Sequence, residues 1–279
     1  MKQTQWYPGN MAKARSILSQ DLKIVDLAVE LLDARIPLSS KNPVLASMLK
    51  DKKHLILLHK ADRADEEVTG RWLSHFMDRE LKAMAFSVHH NSYLKQMMRY
   101  LKDQEHNLRP TRIKRPLRMI IIGIPNVGKS TLINYFVRKA VTKTANQPGI
   151  TRGRQWVRIM PGLELLDTPG ILWPNINDNT AKPLACVGAI PPGLFDVEEI
   201  ACWLIESYLT KNKANSLLNR YSGLQPANPE VMLEKIGLSL GCLQQGGKVD
   251  LARASQLVLR DFQAGFLGKM TLEDPPDDT

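Results

Sequence analysis

Cysteine is scarce: Cys186, Cys202 and Cys242 are the only three among 279 residues. Three scattered thiols cannot build a disulfide frame or a zinc site. They fit a reducing cytoplasm, each as a small core hydrophobe. No apolar run approaches the ~20 residues of a membrane span, so no membrane partner is expected. The first residues, MKQTQWYPGNMAKARSIL, lack the apolar core of a secretory signal. Acid is in deficit, with 28 Asp+Glu against 38 Lys+Arg and a net charge of +10. That surplus points to a polyanionic partner and away from a dedicated small-molecule metabolic enzyme. Charged residues at 24% and hydrophobic residues at 43% exclude wholesale disorder. No internal repeat is visible, and the length suits two domains.

The first half alternates strand-like and helix-like stretches. Strands are expected at 25–32, 54–58 and 84–88, and helices at 43–50, 66–79 and 93–104. This βαβαβα rhythm implies parallel strands with helices on both faces. The segment 108–118, LRPTRIKRPLR, carries five basic residues, two prolines and no acid. It reads as a connector between two halves of one sheet. Beyond it, strands are expected at 117–122, 154–159 and 163–166, and a helix at 129–137. Prolines 174, 183, 191 and 192 punctuate a loop-rich stretch. Helical periodicity then takes over at 196–209, with Asp196 as cap, and at 213–221, 229–240 and 250–266.

The strongest motif is Gly123-Ile-Pro-Asn-Val-Gly-Lys-Ser130, a G-x-x-x-x-G-K-[ST] sequence between an expected strand and an expected helix. Its glycines let backbone N–H groups close around phosphates. Asn126, Val127, Gly128, Lys129, Ser130 and Thr131 are the phosphate-facing candidates. Lys129 reaches the β- and γ-phosphates and the Ser130 hydroxyl ligates Mg²⁺ in this reading. Downstream, Leu165-Leu-Asp167-Thr-Pro-Gly170 brings a carboxylate to the metal through water and a free N–H, that of Gly170, to the γ-phosphate. Between them, Thr151 of Gln147-Pro-Gly-Ile-Thr-Arg152 is the candidate second Mg²⁺ hydroxyl and γ-phosphate sensor.

A base reader is sought after Gly170 and is not found there. It lies upstream, where the apolar run HLILL ends in His59-Lys60-Ala61-Asp62. An aspartate at the end of a strand accepts both the N1–H and the 2-amino proton of guanine, a pair that adenine does not offer. Lys60 packs its stem along the base. One strand later, Ser87 and Val88 form a turn suited to the guanine O6.

The order of base motif, serine turn, phosphate loop, threonine switch and Asp-Thr-Pro-Gly resembles that of the circularly permuted GTPases. Trp6-Tyr-Pro-Gly-Asn-Met-Ala-Lys-Ala-Arg15, Leu32-Asp-Ala-Arg-Ile-Pro37, Gly123 to Thr131, Pro148 to Arg152 and Asp167 to Pro174 are similar to the ribosome biogenesis GTPase A (RbgA, also YlqF) family, as are Gly247 to Ser255 and Leu259 to Phe262. The resemblance covers essentially the whole chain. It implies a GTP-hydrolysing factor for late assembly of the large ribosomal subunit, with GTP as substrate, Mg²⁺ as cofactor and rRNA as partner. DNA is not an expected partner. It also implies a helical rRNA-binding domain at the end of the chain. Two positions depart from the family pattern. His59 stands where the family has Asn, and an imidazole N–H can donate to guanine N7 as the amide does. Asn10 stands where the family has a histidine associated with hydrolysis. Asn10 orients water but cannot take its proton, and Ile171 supplies no water-positioning glutamine either. Asn126 occupies the place where cation-dependent GTPases coordinate K⁺.

The expected fold is therefore α/β: a circularly permuted Ras-like GTPase domain over residues 1–190, with helical RNA-binding residues 191–279 behind it. Lys211, Lys213, Arg220, Lys248, Arg253, Arg260 and Lys269 mark the basic side of the helices. A GTP-binding scaffold that does not hydrolyse is the alternative function.

Overall fold

Strand β1, Leu27–Asp33, is buried at every position. A strand hidden on both faces must lie inside a sheet covered on both sides, the setting of parallel strands joined by helices. The computed structural model describes residues 8–49, 52–107, 115–141, 156–166 and 178–276. In it β1 is central. β2 (Lys53–His59) and β3 (Lys82–Phe86) lie to one side of it, and β4 (Leu117–Gly123), β6 (Leu163–Leu166) and β5 (Trp156–Met160) to the other, in the order β3-β2-β1-β4-β6-β5. Every pairing is parallel except β5 with β6.

The strands differ from the sequence-based bounds by a residue or two, for local reasons. Asp26 leaves β1 because its N–H goes to Arg118 O and its carboxylate accepts from Arg118 N and Arg115. At the end of β3, Ser87 Oγ accepts from His89 N, which turns the chain out of the sheet before Val88.

The helices flanking this sheet are α1 (Pro8–Ile24), α2 (Pro37–Ser40), α3 (Pro43–Met48), α4 (Glu66–Asp78), α5 (Asn91–Asn107) and α6 (Lys129–Val141). Leu18 and Leu22 of α1 pack with Leu45 and Leu49 against Ala28, Ile120, Ile122 and Leu166. On the same face, Trp72 and Phe76 of α4 cover Leu32, Ile56 and Leu58. Trp156 joins this packing and carries the Arg118 guanidinium over its ring at 4.6 Å, an anchoring role.

The remaining helices are α7 (Asp178–Cys186), α8 (Val197–Thr210), α9 (Ala214–Arg220), α10 (Pro229–Ser239) and α11 (Leu251–Ala264). Caps set their starts: Asp196, Asn228 and Asp250 accept from backbone N–H groups of α8, α10 and α11. Their core is Ile200, Leu204, Tyr208, Leu217, Ile236, Val258 and Phe262, and Asp261 accepts from Arg220 and Tyr221 within it. Helices α1 and α7 go beyond the sequence reading. Pro183, taken there as loop punctuation, sits inside α7.

The described residues divide into two compact units. One is 178–272; the other is 8–166 together with 273–276. No described helix is long and apolar enough to cross a membrane, and the described residues hold no group of three His, Cys, Asp or Glu placed to bind a metal.

Candidate nucleotide-binding site

In a parallel sheet, ligands bind outside the carboxyl ends of the strands where the chain order reverses. Here that point lies between β1 and β4. Gly123 closes β4, and a Cβ on it would stand 2.6 Å from the Leu31 carbonyl of β1. Only glycine lets the two strand ends approach so closely. The loop then takes left-handed backbone at Asn126 (φ 58°) and reaches α6 at Lys129. Free N–H groups at a helix start favour an anion. Ser130 and Thr131 are exposed at this point.

Lys129 is folded back. Its ammonium donates to Gly123 O at 3.1 Å and Ile124 O at 2.7 Å, and it is 7% exposed. Burial pushes its pKa down to about 8.

The base motif stands beside this loop. His59 ends β2 and is 4% exposed. Its Nδ1 is 2.6 Å from Val127 O. A carbonyl only accepts, so the proton of this contact sits on Nδ1. Burial lowers the imidazole pKa to about 4, with the Val127 bond opposing it, so the ring is neutral at pH 7. Nε2 is therefore an acceptor, buried without a partner. The sequence reading gave His59 a donor role toward guanine N7; in this structure its single proton is committed to the phosphate loop. The ring also lies flat enough on that loop to exclude a side chain at residue 128, since a Cβ on Gly128 would be 2.5 Å from Nδ1. Phe86 backs it at 5.6 Å between ring centres.

Lys60 adopts left-handed backbone (φ 61°), and a short 3₁₀ turn, Ala61–Arg63, follows. The Lys60 ammonium donates to Asn126 O at 3.0 Å and to Asp33 Oδ2 at 2.9 Å. Asp33 is fully buried and accepts Arg35 through Nε and Nη2, both at 2.9 Å. Burial would raise the Asp33 carboxyl, but the Arg35 and Lys60 charges overcome it and hold it far below the usual range. Burial lowers Lys60, with Asp33 opposing. Ala34 N donates to His59 O at 2.8 Å, tying the same turn to the base motif. Asp62 is left at the loop's edge, 3.8 Å from Arg63 Nε.

The structure thus brings His59, Lys60 and Asp62 together with Asn126, Val127, Gly128 and Lys129. Ser87 is fully buried and spends its Oγ on the turn at His89, with Val88 half-buried beside it. Thr151, Asp167, Gly170 and Ile171 lie outside the described residues. Asn10 falls in the first turn of α1, and its side chain lies outside them as well. In the sequence Asp33 and Arg35 stand out only as part of the Leu32-Asp-Ala-Arg-Ile-Pro37 stretch. The signal for their pairing is an acid closing an apolar strand with a base two residues on. Ser130 offers a hard oxygen donor of the kind Mg²⁺ takes.

Of the seven basic residues singled out in the sequence of the helical unit, Arg220 is bound to Asp261 at 2.6 Å and serves the core. Lys248, Arg253 and Arg260 are exposed.

The comparisons with known proteins agree with this geometry. Residues 118–221 match the family described as 50S ribosome-binding GTPase. The chain is 38% identical over 281 residues to ribosome biogenesis GTPase A of Priestia megaterium, covering 98% of this chain and 97% of that protein. It is 37% identical over 284 residues to the Bacillus cereus protein of the same name, at 98% and 94% coverage. The crystal structure of GNP-bound YlqF from T. maritima matches with a TM-score of 0.67 and 28% identity, over 95% of this chain and 100% of that one. A circularly permuted GTPase domain followed by helices is thus this chain's architecture, and the chain belongs to the ribosome biogenesis GTPase A family.

Proposed function

We propose that this GTPase assists late maturation of the large ribosomal subunit, binding rRNA on pre-ribosomal particles with GTP and leaving after hydrolysis. The observation that carries the site is the direct joining of the base motif to the phosphate loop, through Lys60 to Asn126 O and His59 to Val127 O. The names of the relatives and the family description carry the ribosomal role.

In this reading Asp62 selects guanine and the loop from Asn126 to Thr131 holds the phosphates. Lys129 turns from its own carbonyls to the β- and γ-phosphates. Ser130, Thr151 and Asp167 would hold Mg²⁺, which would supply positive charge against the phosphates, and Asn126 would hold a K⁺ that adds to that neutralisation. Gly170 senses the γ-phosphate. Asn10 orients the attacking water, which phosphoryl transfer can use without a base because positioning and charge carry most of the effect. In this reading the division expected from the sequence, at residue 190, moves to the start of the helical unit, 178–272 among the described residues; the other unit carries the nucleotide chemistry, and the helical unit meets RNA through Lys248, Arg253 and Arg260. The protein works in the cytoplasm.

Single-turnover hydrolysis by wild type, Asn10→Ala and Asn10→His, with and without large-subunit particles, tests this. Slow hydrolysis alone and a marked rise on particles are expected, with a lower particle rate for Asn10→Ala. No hydrolysis in either setting, with particle binding intact, makes the protein a GTP-dependent scaffold instead.

A further inference from the structure

The chain returns after the helical unit. Residues 273–276 belong with the GTPase unit, although they follow Leu272 of the helical one. Their contacts are specific. The Glu273 carboxylate accepts from Leu38 N at 2.8 Å, from Ser39 N at 3.0 Å and from the Ser39 hydroxyl. Trp72 Nε1 donates to Glu273 O at 3.0 Å, and Arg71 pairs with Asp274 at 2.6 Å. Burial raises the Glu273 carboxyl, and the donors of Ser39 and Leu38 oppose that rise.

These contacts fall on two elements, one on each side of the base motif. The turn carrying Leu38 and Ser39 is the end of the segment that begins at Asp33. Ser40 Oγ accepts from Asp33 N at 3.1 Å and donates to Ile36 O at 2.7 Å, closing the segment on itself. Asp33 then holds Lys60, and Ala34 holds His59. Trp72 and Arg71 belong to α4, the helix that leaves the base motif, with Asp65 as its cap. The tail therefore joins the segment that follows Asp33 to the helix that follows Asp62.

We propose that Glu273 and Asp274 position the guanine-reading loop, so that the nucleotide site is completed by the chain end that follows the helical domain. Glu273 touches no nucleotide in this scheme; it acts through Ser39, Asp33 and Lys60. A rearrangement of the helical domain that pulls on residue 273 would loosen the grip on the base, and guanine bound at Asp62 would favour the docked tail. This coupling is reciprocal by linkage. The inference rests on Asp62 as the base reader.

The test compares GTP with ITP, which lacks the 2-amino group. Kd values for both are measured for wild type, a truncation ending at Leu272, Glu273→Gln, and Asp62→Asn. The truncation should weaken GTP roughly 5–20-fold, the scale of an ordinary coupling between sites, and ITP distinctly less, so that the GTP preference narrows. Glu273→Gln, which keeps one acceptor oxygen and the whole tail, should give a smaller change in the same direction. An equal loss for both nucleotides, or none for either, overturns the proposal, because a merely structural tail has no reason to know the 2-amino group. Asp62→Asn separates the two readings. If it leaves the GTP preference untouched, the base assignment itself fails. If it abolishes the preference while both tail variants retain it, only the positioning role fails.

Discussion

The two ends of the proposed nucleotide site are built differently. At the proposed base end Lys60, His59 and Asp33 are already held by close protein partners, and Asp62 has only a long ion pair, 3.8 Å, to Arg63. Lys60 is held by Asp33 and Asn126 O, His59 by Val127 O, and Asp33 by Arg35. At the phosphate end Lys129 is parked on the carbonyls of its own loop, and Ser130 and Thr131 face solvent. The base end is organised in advance and its cost is met on folding. The phosphate end must exchange internal hydrogen bonds for ligand ones. In the proposed reading, selectivity resides in the loop already held by protein partners, while the response to phosphate resides in groups that must change partners.

The largest effect that would break this contrast is at Asp33. Asp33→Asn leaves the buried Arg35 and Lys60 facing a neutral amide. Removing one partner from a buried ion pair costs about 3–5 kcal/mol, so the urea midpoint of the GTPase domain should fall sharply and GTP affinity with it. Adding Lys60→Met, which removes one of the two stranded charges, should recover part of the stability. A loss of well under ~1 kcal/mol, the scale of an exposed pair, would mean that the base loop is not held by this network.

How much of this was legible beforehand follows the same division. The phosphate loop is read from sequence because its glycines and lysine are dictated by local backbone needs at fixed spacing. The strand order is read from the alternation of apolar runs and helices. The partners of the base loop are not local. Asp33 and Lys60 are 27 residues apart and meet only because β1 and β2 pair in parallel register, with Asp33 opposite His59. The proton on His59 is also a tertiary fact, since residue 127 supplies its acceptor. Glu273 lies 234 residues from Ser39, and no periodicity in an acidic tail announces that contact. Helix α1 is hard to read because the apolar residues it buries among those described, Leu18 and Leu22, stand in a segment that is otherwise largely polar there.

A smaller effect comes from the neutral imidazole at the base end. The pKa of His59 is about 4 in the folded protein against 6.5 for a free side chain. Lowered in the native state, it leaves stability unaffected above pH 6.5. As pH falls toward 4 the unfolded chain takes up the proton and the native state does not. The resulting loss is about 2 kcal/mol at pH 5. His59→Asn carries no titrating group, so wild type should lose about that much more stability than the variant between pH 7 and pH 5 in urea unfolding. Equal losses would show that the imidazole titrates normally and that the base loop opens readily.

The smallest effect sharpens the contrast at the phosphate end. Lys129 has a pKa of about 8 without ligand because it is buried against carbonyls. Bound phosphates favour the charged form and raise that value. Below pH 8 both states hold the proton and affinity is flat. Above it, binding takes up a proton, and affinity falls by up to ~tenfold per pH unit. Between pH 7 and pH 8.8 the expected weakening of GTP binding is about sixfold. Calorimetry in buffers of different ionisation enthalpy should show the matching proton uptake. Lys129→Arg stays charged throughout this range, so any titration of guanine itself appears in both proteins and cancels. The variant should bind GTP more weakly, because a guanidinium cannot fold into the same space, yet without this slope. If wild type and Lys129→Arg share one pH dependence, Lys129 is fully charged before the ligand arrives. The phosphate end would then be as prepared as the base end.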